Sequence, residues 1–174
     1  MEKVGVVSDT HGMFDEKLQR LFEGVSLILH AGDVGAPAVL TRLTEIAPVR
    51  AVAGNNDTGP WARELPAARV ERVGGVPMLV VHELGKPQEP NVKVQFLLSA
   101  ESPRVVVYGH SHRGELVEHD GRLYVNPGGA GKKRFKLLRS AAVLEVSADQ
   151  LKARLHSLET DELEQVATAV LRSR

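Results

Sequence analysis

Residues 3–12 read Lys3-Val4-Gly5-Val6-Val7-Ser8-Asp9-Thr10-His11-Gly12: a short β-branched run that stops at an acid, a histidine and a glycine. Such a run is the mark of a buried strand, and the residues after it are turn formers. The same event recurs twice. Ser26 to Ala31 (SLILHA) is a second apolar run leading into Gly32-Asp33, and Val49 to Ala53 (VRAVA) is a third leading into Gly54-Asn55-Asn56-Asp57. Between the first two, Phe14, Leu18, Leu21 and Phe22 recur at helical spacing, which predicts an amphipathic helix over 14–23. After Pro37, suited to a helix's first turn, Leu40, Leu43, Ile46 and Ala47 repeat that spacing until Pro48 stops it. A β-α-β-α-β order calls for parallel strands joined by right-handed crossovers.

The second half reads mostly as strands, over 67–73, 76–82 and 104–109, with 92–99 taken as a crossover helix. Asp120-Gly121 parts two alternating runs, 115–119 and 122–125, and predicts a hairpin. Residues 141–146 and 151–158 suggest another. Leu163, Val166, Ala167, Val170 and Leu171 then fit a C-terminal helix over 161–172, within a helical extension of residues 160–174. No repeat or linker divides the chain, so a single domain over 1–174 is expected, an α/β sandwich of two packed sheets.

Composition narrows the function. The chain has 174 residues with 22 Lys+Arg against 22 Asp+Glu, which argues against a basic platform for polymeric nucleic acid. It has no cysteine, which removes disulfides, thiol nucleophiles and thiolate-bound zinc. No apolar run approaches the roughly 20 residues of a membrane span, and residues 1–4 lead directly into a strand pattern with no signal-peptide core. A cytoplasmic protein is the expectation.

Where the polar residues fall relative to the strands is the informative feature. Five successive strand ends carry Asp9 and His11, Asp33, Asn55, His82, and the pair His110 and His112. In parallel α/β sheets, functional groups gather beyond the carboxyl ends of the strands. Residues two apart in extended chain point the same way, which aligns Asp9 with His11 and His110 with His112. Imidazoles, carboxylates and an amide oxygen suit divalent Mn, Fe, Zn, Co or Ni. Seven such groups exceed what one tetrahedral ion uses, and two divalent ions are the usual arrangement for hydrolysing phosphate esters. Taken singly, Asp9 and Asp33 are also ordinary cap or turn residues, and Asn55 an ordinary left-handed turn residue; the joint pattern carries the reading.

The series Asp9-x-His11, Gly32-Asp33, Gly54-Asn55-x-Asp57, His82 and Gly109-His110-x-His112 resembles the calcineurin-like metallophosphoesterase family. Chain length and the element Val125-Asn126-Pro127-Gly128 make it similar to that family's small bacterial and archaeal phosphodiesterase branch. The resemblance implies a four-layer α/β/β/α sandwich of two mixed sheets. It assigns Asp9, His11 and His112 to one metal, Asn55, His82 and His110 to a second, and Asp33 to both, with manganese the foremost candidate. A bridging hydroxide attacking a small phosphodiester in line is the implied chemistry. The resemblance also admits a phosphomonoesterase, or a non-catalytic scaffold such as the retromer subunit of the same fold. Small relatives often associate, so a homo-oligomer is possible, although no segment marks an interface.

Three positions depart from the family pattern. Relatives often carry a proton-donating histidine where Asn56 stands; an amide can donate a hydrogen bond but cannot transfer a proton at neutral pH. Asn56 therefore predicts a preference for leaving groups that need no protonation. Glu83 and Gly129 replace a common glycine and serine. His30 is expected to be a buried, hydrogen-bonded histidine behind the ligands, Asp57 an orienting group, His119 and His156 solvent-facing, and Lys132-Lys133-Arg134 a solvated basic loop. Trp61 fits either a pocket rim or the core.

Overall fold

The computed structural model describes residues 1–172. Strand β1 (Glu2–Val7) is followed by α1 (Lys17–Leu21), β2 (Leu27–His30), α2 (Pro37–Thr44) and β3 (Val49–Ala51). β1, β2 and β3 pair in parallel, as their order requires. The first helix is shorter than its periodicity suggests. The side chain of Asp15 accepts from the Lys17 amide at 3.0 Å just before it begins, and Gly24, at φ +74°, turns the chain soon after it ends.

The second half supplies β4 (Ala68–Val73), β5 (Val76–Val81), a small hairpin of β6 (Gly85–Lys86) and β7 (Glu89–Pro90), then α3 (Val92–Glu101) and β8 (Val105–Val107). Asn91 caps α3 by accepting from the Val94 amide at 3.0 Å, the service an Asn N-cap performs. The chain continues through β9 (Gly114–His119), β10 (Arg122–Pro127), β11 (Ser140–Val146), β12 (Gln150–Ser157) and β13 (Gln165–Arg172). One sheet runs β13-β12-β11-β1-β2-β3 and the other β4-β5-β8-β10-β9, and both mix parallel and antiparallel pairs.

The final element corrects the sequence reading. Residues 165–172 form a strand rather than the expected C-terminal helix; residues 173 and 174, the end of that expected extension, lie outside the described residues. Ala167, Ala169 and Leu171 turn inward onto the core, and β-branched Val166, Thr168 and Val170 turn outward. The open edge of β12 offers a full antiparallel ladder, from Gln150 opposite Arg172 to His156 opposite Gln165. A helix would satisfy its own backbone but leave that edge unpaired.

Three apolar clusters fill the spaces between four layers. Between the sheets lie Val4, Val6, Leu29, Met78, Val80, Val107, Leu123 and Leu144. On the outer face of the six-stranded sheet, Leu18 and Phe22 near α1 and Val39 and Leu43 of α2 pack on Val7, Ile28 and Ala141. On the other outer face Val94 and Leu98 of α3 meet Leu79, Val106 and Tyr124. This is the four-layer α/β/β/α sandwich. Trp61 packs partly buried with the helices of the first outer face, away from the strand-end cluster.

Candidate metal centre

The carboxyl ends of β1, β2 and β3 meet those of β5, β8 and β10 at one end of the sandwich. Backbone hydrogen bonds stitch the loops there. The Asp9 amide donates to Gly32 O at 3.0 Å, His11 to Asp33 O at 3.0 Å, and Gly109 to His82 O at 3.0 Å. Ala130 and Gly131, beyond β10, donate to Ser8 O and Asp9 O at 3.0 and 3.1 Å. Asp9, His11, Asp33, His110 and His112 all take positive φ, between 46° and 69°. For residues with a Cβ this costs about 1–2 kcal/mol each, and such strain gathers at functional sites.

Strain here aims the side chains at common points. His11 Nε2 and His112 Nε2 stand 3.2 Å apart, with their rings stacked at 14°. Asp9 Oδ1 lies 3.3 Å from His112 Nε2 and 3.9 Å from His11 Nε2, and Asp33 Oδ2 lies 3.7 Å from His11 Nε2. On the other side of Asp33, His82 Nε2 is 3.5 Å from Asp33 Oδ2 and 2.9 Å from Asn55 Oδ1, which is itself 3.1 Å from His110 Nδ1. All seven strand-end residues singled out from the sequence are therefore brought together, with Asp33 between two groups of donors.

The donor set fits divalent metal. Asp9 Oδ1 is buried and has no hydrogen-bond partner among the described residues; leaving an acceptor in that state costs about 1–3 kcal/mol, which a cation offsets. Asp9, His11 and His112 form one group that could hold an ion, and Asp9, Asp33 and His82 another. The first atoms are held from behind, as ligand geometry requires. His82 Nδ1 donates to Ala31 O at 2.7 Å, which directs Nε2 inward. Asp9 Oδ2 accepts from Ser8 Oγ at 2.6 Å and from the His110 amide at 3.1 Å, which directs Oδ1 inward.

Electrostatics separate the two carboxylates. Burial pushes the Asp9 carboxyl up, against the pull of Ser8 and His112. Burial opposes ionisation of Asp33 too, but hydrogen bonds from His82 and from the side chain and backbone of Asn56 hold it well below the usual carboxylate range. His82 is raised: burial pulls it down, but its contacts with Asp33 and Ala31 O and the charges of Asp9 and Asp33 together outweigh that pull.

The supporting residues were partly legible. His30 is fully buried behind the site, with Nε2 2.9 Å from Thr10 Oγ1 and Nδ1 accepting from the Gly32 amide at 3.2 Å. Asp57 does not orient Asn56 or a histidine. It accepts from the Val34, Gly35 and Gly54 amides at 3.1, 2.8 and 2.8 Å, clamping the Asp33 loop to the Asn55 loop. Gly54 is obligatory in that clamp: a Cβ there would collide with the Asp33 amide nitrogen and Oδ1. Buried Asn126 donates to Gly109 O and Ser111 Oγ, each at 3.0 Å, and so pins the His110-x-His112 loop, a role its sequence position did not disclose.

Glu83 faces the site, with Oε1 3.8 Å from His110 Nδ1. Asn56 turns onto the ligand cluster, donating from Nδ2 to Asp33 Oδ2 at 2.7 Å and from its amide to Oδ1 at 2.8 Å. His156 is half-buried, its Nδ1 donating to Leu163 O at 3.0 Å, rather than facing solvent. The basic loop divides: Lys133 pairs with Glu159 at 3.0 Å, while Arg134 lines a cleft beside the histidines.

Two sheets whose strand ends deliver acids and imidazoles to one edge define a metallophosphoesterase fold. The chain belongs to the calcineurin-like phosphoesterase superfamily, whose domain model matches residues 2–149. It is 30% identical over 157 residues to a protein of Methanothermobacter thermautotrophicus named a probable metallophosphoesterase, covering 87% of this chain and 90% of that one. Its fold is similar to that of Vps29 from Chaetomium thermophilum, with a TM-score of 0.82 at 20% identity over 99% of this chain and 98% of that one. It is also similar to the Escherichia coli phosphoesterase YfcE, with a TM-score of 0.71 at 22% identity over 98% and 100% of the two chains. Members of this superfamily use divalent metals. Among the described residues no helix is long and apolar enough to cross a membrane.

Proposed function

We propose that the protein is a metal-dependent phosphodiesterase acting on small organic phosphodiesters. In this reading Asp9, His11 and His112 hold one divalent ion, Asn55, His82 and His110 a second, and Asp33 both, with manganese foremost. The observation that carries it is the inward-facing set of lone pairs around Asp33, completed by the orphaned Asp9 Oδ1. When bound, such ions supply water of lowered pKa and neutralise charge on the phosphoryl oxygens. The chain's own contribution is to keep Asp33 ionised between the two groups. Asn56 does this by donating to it from its side chain and its backbone amide, and Ser8 and Asn126 hold the flanking ligands in place.

Asn56 supports a preference for esters whose leaving group needs no proton. Its amide is engaged on Asp33 and has no proton to transfer. Departure of an alkoxide needs a proton, whereas departure of a phenolate does not. The test pairs metal analysis with hydrolysis of bis(p-nitrophenyl) phosphate and p-nitrophenyl phosphate, with and without Mn²⁺. Near two metals per chain and diester turnover lost in Asp33→Ala are expected; metal binding without turnover of either ester refutes the enzyme and favours a scaffold. Asn56→His should raise turnover of alkyl esters, which lose an alkoxide, relative to p-nitrophenyl esters, which lose a phenolate, by roughly tenfold or more. An unchanged ratio refutes the role of that position.

A further inference from the structure

Beside His110 and His112 a cleft of ≈ 340 Å³ opens, with Asp33 and Asn56 on one wall and Arg134 and Phe135 on the other. The second wall belongs to the segment between β10 and β11, whose base is closed by Arg139. That side chain donates to Gly131 O at 2.6 Å, to Ala130 O at 2.9 Å and to Asp15 at 2.6 Å. Above this clamp, Lys133 is drawn away to Glu159, and the Leu137 amide bonds back to Arg134 O at 3.1 Å.

Two features meet at the tip. Phe135 is 92% exposed and sits at φ +53°, a backbone conformation that residues with a Cβ avoid. A phenyl ring shown to water, on a strained residue, at the mouth of a polar cleft, has no role in the core. Beside it, Arg134 lines the same cleft as His110 and His112 and has no carboxylate within ion-pair distance among the described residues. A guanidinium matches the fork of phosphoryl oxygens, and a phenyl face accepts a planar ring.

We infer that Arg134 and Phe135 form the substrate-selecting wall: Arg134 receives the phosphoryl oxygens, and Phe135 stacks on a planar ring of the substituent that stays with phosphorus, not of the leaving group. The substrate class is thereby narrowed to phosphodiesters bearing an aryl or nucleobase ring. The anion's identity rests on the phosphodiesterase reading; the stacking partner does not.

Binding of inert analogues tests this apart from turnover. Mn²⁺-supplemented wild type, Arg134→Gln, Phe135→Ala and Phe135→Tyr are titrated calorimetrically with phenylphosphonate and methylphosphonate. Wild type should bind the phenyl compound about tenfold more tightly, the worth of one stacked ring. Phe135→Ala should abolish that ratio and Phe135→Tyr restore it, while Arg134→Gln should weaken both ligands about tenfold. Equal affinities in wild type, a ratio unchanged in Phe135→Ala, or no binding of either compound overturns the inference.

A second arm separates the ring types with a common leaving group. Phe135→Ala should raise KM for the p-nitrophenyl ester of thymidylate if a nucleobase is stacked, or for bis(p-nitrophenyl) phosphate if an aryl group is, and leave ethyl p-nitrophenyl phosphate unaffected. Equal changes for all three overturn the inference while leaving the phosphodiesterase standing. Ring-selective phosphonate binding with no ester turned over refutes the phosphodiesterase reading and upholds the wall.

Discussion

Acidification should destabilise this fold through one residue, His30. Its side chain is wholly buried against the Asp9-x-His11 loop. Thr10 Oγ1 donates to Val34 O at 2.9 Å, so it can only accept from His30 Nε2–H; Nδ1 then accepts from the Gly32 amide. The second contact requires the neutral ring, because a protonated Nδ1 cannot accept. Burial pushes its pKa down to about 4 from 6.5, against the pull of Asp57. Above the unfolded value both states are neutral and this group makes no demand; below it the unfolded chain takes a proton that the folded chain refuses. The stability at stake is thus fully present above 6.5 and lost as pH falls towards about 4, for a total of about 3 kcal/mol. About 2 kcal/mol of it should be gone between about pH 7.5 and about pH 5. Urea unfolding of chelator-treated wild type and His30→Gln across that range isolates the term, because every other titrating group is shared. Parallel stability profiles for the two proteins, or a His30 imidazole resonance that titrates near the free value in folded protein, would refute the reasoning.

The other predictions concern the metal loops. Asp57→Asn leaves one acceptor oxygen for three backbone donors and should cost about 3 kcal/mol in urea unfolding. It should also weaken divalent-metal affinity roughly 10- to 100-fold through the displaced Asp33 and Asn55 loops; a loss of stability with metal affinity unchanged would show that the clamp does not position ligands. Apparent Mn²⁺ affinity, measured against a chelating dye, should decline as pH falls through the raised pKa of His82, by up to about tenfold per pH unit, because proton and metal compete for Nε2. The sign comes from His82 being raised: competition begins above the ordinary histidine value. An affinity constant from about pH 8 to about pH 6 would contradict this.

The amino-acid order by itself determined the sheet frame and the seven groups that gather at one strand-end site. Both come from a local rule, apolar runs of strand length followed at once by glycines, acids and histidines. The left-handed backbone at Asp9, His11, His110 and His112, not an extended two-residue period, aims the side chains. Tertiary structure decided what local rules leave degenerate. Residues 165–171 satisfy helical and strand periods alike, and the unpaired edge of β12 settled the choice. Asp57 found its partners in the amides of Val34 and Gly35, and Asn126 its own in the loop after β8; these are contacts between loops that only the packed sheets bring together. Arg134 reads as one more charge in a basic loop until Arg139, reaching Asp15 across 124 positions, folds that loop over the histidines. Such pairings depend on chain segments far apart in sequence meeting in space, and no window of residues contains that information.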